Sequence, residues 1–242
     1  MPVLVTGGRV FESLHFDHFI MIKKNLQRDN VPWKHFYTED FFIDVDSLYD
    51  IQKEITPRQE DIRNNPSNYN LKREGNNITD NYHSCEIDID NILTDKYPVL
   101  DRVVNYFKTE GRDYLEVLGN INLANHFLRI QFVRDINGYE IVPHTDKANK
   151  KATILCHMTD LKDKGTQLMN NNKEIIKRAP SSKNSALMFF PNYNSFIKTY
   201  HGFINTKIDT YRDIIIINYF STARVGSDGK CIKEGSFWKL KK

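Results

Sequence analysis

The stretch Asp213-Ile-Ile-Ile-Ile-Asn-Tyr-Phe220 limits the fold more than any other part of this sequence. A nearly continuous apolar run of that length reads as a strand covered on both faces. Ser185–Phe190 has the same character. Around these runs lie further strand segments at Phe127–Val133, Ala152–Met158 and Gly165–Asn170. In Ala152–Met158 the alternation puts Ile154, Cys156 and Met158 on one face and Thr153, Leu155 and His157 on the other. Turn signals fall at Asn137-Gly138, Lys164-Gly165, Pro180-Ser181-Ser182, Pro191-Asn192 and Ser227-Asp228-Gly229. Several short strands at this spacing predict a sandwich or small barrel with helices packed outside.

The first half reads differently. A length of 242 residues suits one large domain, divided here into a helical and loop part (1–120) and a β core (121–242). Asp46 is placed to cap a helix reaching Ile55, with Leu48, Ile51 and Ile55 on one face and Pro57 as its end. Pro98 suits the first turn of a second helix. Its apolar stripe is Val99, Leu100, Val103, Val104 and Phe107, with Gly111 as a stop. Phe11–Leu26 has the apolar content of an early helix. Residues 58–84 are rich in Asn, Asp, Arg and Ser and read as a surface loop, with an active-site lid as the alternative.

Composition removes several classes of function. Lys and Arg total 34 and Asp and Glu total 31, so the net charge is only +3. That excludes a polybasic nucleic-acid binder and a highly charged disordered chain. No apolar run approaches the ~18–20 residues that span a bilayer, and the start lacks the pattern of a secretory signal. Cys85, Cys156 and Cys231 are odd in number and far apart, which fits a reducing compartment rather than a disulfide framework. The expectation is a cytoplasmic protein without membrane or nucleic-acid partners, in which the sequon Asn77-Ile78-Thr79 is accidental.

The chemistry concentrates in His144-Thr145-Asp146, between two strand segments. In extended chain, residues i and i+2 face one side about 6.5–7 Å apart, so an imidazole and a carboxylate can converge on one ion. His201 lies beyond the next strand and before the Ile-rich one. Two His and one carboxylate form the facial triad of a non-haem Fe(II) site, which leaves positions open. A structural zinc site would fill four, usually with thiolates. His15-Phe16-Asp17 repeats the pattern, but within a helical segment, where i and i+2 point apart. His15 is therefore read as structural, as are His18, His35, His83 and His126. His157 is weighed toward packing, with a role in the pocket as the alternative. Arg212 opens the Ile-rich strand and is a planar receptor for a carboxylate; pairing with Asp209 or Asp213 is the alternative.

With these residues in place, 127–222 resembles the catalytic core of the Fe(II)/2-oxoglutarate-dependent oxygenases, especially the prolyl-hydroxylase-like branch. The matching stretches are Leu128-Arg-Ile-Gln-Phe-Val-Arg134, Asn137-Gly138, Pro143-His-Thr-Asp146, Ala152-Thr-Ile-Leu155, Gly165-Thr-Gln-Leu168, Ala186-Leu-Met-Phe-Phe-Pro191, His201-Gly202 and Arg212. The resemblance implies a mainly β fold with flanking helices, a double-stranded β-helix (cupin-like jelly roll) with N-terminal helices on one sheet. It implies Fe(II) held by His144, Asp146 and His201, and 2-oxoglutarate held at its distal carboxylate by Arg212. It further implies O₂-dependent hydroxylation of an unactivated C–H bond in a small molecule or peptide, with release of succinate and CO₂. Relatives often carry Tyr where this chain has Asp135, so a tyrosine contact from that strand is not expected. Asp146, in place of Ala or Gly, argues against a halogenase.

Three other readings compete. One is a different oxidative outcome on the same centre, such as demethylation, desaturation or epimerisation. Another is a cupin-like metal-binding or sensing module without turnover, and the third is a zinc hydrolase with Glu140 as base. Residues 58–84, Arg129 and Gln131 are candidates to shape the substrate pocket.

Overall fold

The computed structural model describes residues 22–23, 25–64, 84–89, 96–191 and 196–221, and the backbone of 238–239. His15, Asp17, His18 and His83, most of the Phe11–Leu26 segment and 65–83 of the polar loop lie outside the described residues.

Two antiparallel sheets form the core. The larger runs β1 (Gln27–Asp29), β2 (His35–Thr38), β9 (Ala186–Phe189), β6 (Lys150–His157), β11 (Tyr211–Phe220), β4 (Phe127–Ile136). Two short strands, β3 (Ser84–Asp88) and β12 (Trp238–Lys239), share the far edge of β4. The smaller sheet runs β5 (Ile141–His144), β10 (His201–Phe203), β7 (Gln167–Met169), β8 (Ile175–Arg178). From β4 to β11 the chain shuttles between the sheets, placing β4, β6, β9 and β11 in one and β5, β7, β8 and β10 in the other. This two-sheet arrangement is the jelly roll that the resemblance implies, one form of the sandwich predicted from the strand spacing.

The Ile-rich strand sits centrally, as its two-sided apolar pattern requires. β11 pairs with β4 along its whole length and with β6 from Ile214 onward. Ile215, Ile217 and Tyr219 join Ile130, Phe132, Ile154, Cys156 and Met158 in a core under the helices. The opposite face looks between the sheets, where Ile216 packs on Leu155, Leu187, Phe189, Leu168 and Trp33. The alternation read from Ala152–Met158 is therefore the observed one.

Among the described residues the helices are α1 (Val45–Ile55), α2 (Gln59–Asn64), α3 (Pro98–Lys108) and α4 (Glu110–Gly119). The cap of α1 is Asp44, whose carboxylate accepts from Ser47 N; Asp46, the expected cap, lies in the first turn. Gln52 of α1 donates to the Val133 carbonyl at 3.0 Å, fixing the helix to the sheet. Gly111 is not a stop. It lies in the first turn of α4, where a Cβ would sit 2.6 Å from the Tyr106 ring. The residue is there for close approach between α3 and α4, which α-propensity alone does not reveal.

The N-terminal part is less helical than expected. It lends β1, β2 and β3 to the larger sheet, Ile22 bridges to Phe42, and the described tail of the Phe11–Leu26 segment is not helical. The polar loop begins with α2 and ends in β3. No helix among the described residues is long and apolar enough to cross a membrane.

Ile215 is fully buried in the core beneath the helices. Ile215→Asp places an unpaired charge there and should cost roughly 3 kcal/mol or more. The shift in chemical-denaturation midpoint measures it, and an unchanged midpoint would contradict a central position for β11.

Candidate metal centre

β5 ends on His144 and β10 begins on His201, and the antiparallel register sets these two residues opposite each other. Their ring centroids lie 4.3 Å apart. Asp146 follows two residues after His144, and the ligand atoms of all three lie within 4.8 Å of one another.

The tautomers follow from the hydrogen bonds. His144 Nδ1 lies 2.9 Å from the Val142 carbonyl, and His201 Nδ1 lies 2.9 Å from the Thr199 carbonyl. A carbonyl only accepts, so each Nδ1 carries the proton and each Nε2 keeps its lone pair for a metal. Burial pushes His201 down to about 4 against the pull of Asp146, so the ring is neutral near pH 7.

Asp146 is buried, which taken alone would raise its pKa. The Lys150 ammonium and the His201 and His144 rings outweigh burial and hold it at about 2. Lys150 donates to Oδ1 at 2.5 Å. The Thr153 hydroxyl lies 3.2 Å from Oδ2 and 3.0 Å from Asn218 Oδ1, one proton between two acceptors. A carboxylate has about four acceptor sites, so a lone pair remains for a cation. Two imidazole nitrogens and one carboxylate oxygen, without a thiolate, suit Fe(II) with open positions better than a closed zinc site.

Arg212 lies on the inner face of β11, the face of Ile214, Ile216 and Asn218, and is 3% exposed. Its cross-strand neighbour is Asp135. Arg212 Nη1 donates to Asp135 Oδ2 at 2.9 Å and Nη2 to Thr166 Oγ1 at 3.3 Å; Nε is buried without a partner. The guanidinium lies 4.6 Å from the centre of the Phe203 ring. The Ser84 hydroxyl donates to Asp135 Oδ1 at 2.7 Å.

The acid beside Arg212 is thus Asp135 and neither of those expected. Asp209 pairs with Lys164 at 2.7 Å, and Asp213 is held bidentately by Arg134 on the other face of the sheet. The Asp135 contact depends on the β4–β11 register, which sequence spacing did not supply.

His157 also faces inward and is buried, with Nδ1 unpartnered. Burial, then Arg212, holds its pKa well below the usual histidine range. Of the other histidines, His35 is buried with Nε2 unpartnered, and His126 Nδ1 meets the Ala124 carbonyl. Arg129 and Gln131 line the inner face as well, where Arg129 is held bidentately by Asp88 and Gln131 donates to Glu86. Glu140 accepts from Asn205 N at 2.9 Å. A cavity of about 560 Å³ lined by Tyr37, Asp160, Lys177 and Arg178 includes no triad residue, and its mixed charges single out no chemistry.

No family model matches the sequence. No curated protein matches it either. Among solved structures, it is similar to a prolyl-4-hydroxylase from Pseudomonas putida at 12% identity and a TM-score of 0.44, over 78% of this chain and 94% of that one. It is similar to an oxidoreductase of the 2OG-Fe(II) oxygenase family from Burkholderia pseudomallei at 11% identity and 0.43, over 76% and 79%. A third is dioxygenase for auxin oxidation 1 from Arabidopsis thaliana in complex with 2-oxoglutarate, at 13% identity and 0.46, over 78% and 86%. Similarity this distant leaves the chemistry to the chain's own residues.

Removing either imidazole should abolish tight Fe(II) binding, so His144→Ala and His201→Ala should both fail an anaerobic Fe(II) titration while keeping the fold. A second test concerns the strand that aligns them. A Cβ on Gly202 would sit 2.9 Å from the Ile141 carbonyl. Gly202→Ala should therefore push β10 from β5 and weaken Fe(II) binding by roughly tenfold or more.

Proposed function

We propose that this protein is an Fe(II)- and 2-oxoglutarate-dependent dioxygenase that hydroxylates an unactivated C–H bond of a small molecule or peptide. The observation that carries the reading is the convergence of His144, Asp146 and His201 at the paired ends of β5 and β10. Bound Fe(II), with O₂ and 2-oxoglutarate, supplies the oxidising power and leaves succinate and CO₂ as co-products. The chain supplies placement. His144 and His201 present Nε2, Asp146 presents a carboxylate held by Lys150 and Thr153, and Arg212 offers Nε and Nη2 to the distal carboxylate of the cosubstrate. The apolar side chains of Ile214, Ile216 and Leu155 lie on the face between Arg212 and Asn218 and exclude water there.

A metal-binding jelly roll without turnover is the second reading. What favours it is the Arg212–Asp135 pair, which already gives the guanidinium a carboxylate.

The discriminating measurement is succinate release from 2-oxoglutarate by the Fe(II)-loaded protein. Slow substrate-free release is expected for an oxygenase, and its absence together with absent 2-oxoglutarate binding supports the module. Arg212→Ala should weaken 2-oxoglutarate binding by roughly 30-fold to several thousand-fold, the loss of about 2–5 kcal/mol on truncating a buried charged pair. Fe(II) affinity should stay near wild type. Arg212→Lys should recover part of the loss, because the charge remains but the fork does not.

A further inference from the structure

The end of the interior farthest along β11 from Asn218 contains a buried cation and a buried anion that belong to the protein itself, with the Glu86 carboxylate nearby. Arg212 carries the cation and Asp135 the anion, and both are essentially out of solvent. Facing Asp135 are Arg212 from β11 and Ser84 and Glu86 from β3. His157 of β6 stands against Arg212, and Arg134 and Cys85, next in sequence to Asp135 and Ser84, are cross-strand neighbours on the opposite face of the sheet, where Arg134 is held by Asp213. The pair is neutral as it stands. Arg212 still has an unpartnered buried Nε, beside the Nη2 that touches only the Thr166 hydroxyl. That free edge of the guanidinium has the geometry of a second carboxylate receptor.

A second carboxylate there would put two anions against one buried cation. Two like charges sharing one site disfavour double ionisation, so one of them takes a proton. The ligand's carboxylate would gain the fork; Asp135 keeps Ser84 and Arg212 Nη1 and is the group placed to be neutralised.

We propose that Asp135 is a specificity-determining residue of the cosubstrate site: it serves as the resident counter-ion of Arg212, and a 2-oxo acid with a distal carboxylate binds together with one proton that neutralises Asp135. The inference rests on the oxygenase reading and deepens it. The equilibrium balances: ionised Asp135, one solvent proton and the dicarboxylate dianion give protonated Asp135 and the bound dianion. Burial, and then Glu86, raise Asp135, while Arg212 and Ser84 lower it, leaving it at about 6. The free protein therefore holds Asp135 ionised at pH 7.5. Below about pH 6 the proton is already in place and binding becomes insensitive to pH. A monocarboxylic 2-oxo acid of the same length needs no such proton.

The test is anaerobic calorimetric titration of the Fe(II)-loaded chain with 2-oxoglutarate and with 2-oxopentanoate, in two buffers of different ionisation enthalpy. The expected result is uptake of about one proton with 2-oxoglutarate and none with 2-oxopentanoate. The affinity for 2-oxoglutarate should fall roughly tenfold per pH unit between about 6.5 and 8. Asp135→Asn should flatten that slope and bind 2-oxoglutarate more tightly than wild type at pH 8. If the variant does not fold, the wild-type proton count and slope decide. Binding of 2-oxoglutarate without proton uptake, or a slope that persists in Asp135→Asn, overturns the inference and leaves the oxygenase reading standing. Failure of both acids to bind the Fe(II)-loaded protein at every pH overturns the oxygenase reading and the inference with it.

Discussion

Burial of β11 on both faces is the constraint from which the rest follows. A strand paired on both edges cannot rotate, so its alternation decides the fate of each side chain. Ile215, Ile217 and Tyr219 are committed to the layer beneath the helices, where the Tyr219 hydroxyl reaches the Phe107 carbonyl at 2.5 Å. Arg212, Ile214, Ile216 and Asn218 are thereby committed to the space between the sheets. Slipping β11 by one residue would send Arg212 toward the helices and Asp213 inward. The register that buries Ile214, Ile215 and Ile217, and half-buries Ile216, is thus the same register that delivers a guanidinium and an amide to the interior.

The candidate metal centre depends on a second and weaker pairing. β5 and β10 are short strands of the smaller sheet, and β10 is only three residues long. Their alignment relies on Gly202 passing close to the Ile141 carbonyl. The ligand pair is in turn oriented by backbone carbonyls two residues upstream of each histidine, from Val142 and Thr199. Local chain geometry aims both rings, so His201 can be found from its spacing even though β10 shows little strand pattern.

What was legible in the sequence tracks the strength of local signals. Strands with period-two or continuous apolar patterns, the long β4, β6 and β11 and the four-residue β9, were evident, as were α1, α3 and the short β7 after its Lys164-Gly165 turn. β5, β8 and β10 were not: they hold at most two periods of alternation and, unlike β9, carry no continuous apolar run. β1, β2 and β3 were missed for a different reason: they are edge additions of mixed polarity, and pairing rather than pattern makes them strands. His144, Asp146 and His201 could be named together from spacing, and the fold brings their ligand atoms within 4.8 Å of one another. Asp135 as the partner of Arg212 could not, since a cross-strand contact requires a register that neither residue's neighbourhood encodes.

The interior between the sheets is divided in a way that bears on chemistry. On the side of β2, β6 and β9 it is mainly apolar, with Trp33, Leu155, Leu187 and Phe189 packed on Leu168, and Thr153 and His157 as the polar side chains of β6 there. On the side of β3 and β4 it carries Arg129 with Asp88, Gln131 with Glu86, and Asp135 with Ser84 and Arg212. Buried ion pairs lose much of their Coulombic gain to desolvation, and well-packed apolar residues often serve stability as well or better. A jelly roll optimised only for stability would extend the apolar half across the whole interior. The polar half instead lines the flank of the strand that reaches from the Asp146 neighbourhood, through Asn218 and Thr153, to Arg212. Charges are thus concentrated on one flank of the interior, beside Arg212 and Asn218, while the apolar half supplies the packing that keeps the two sheets together.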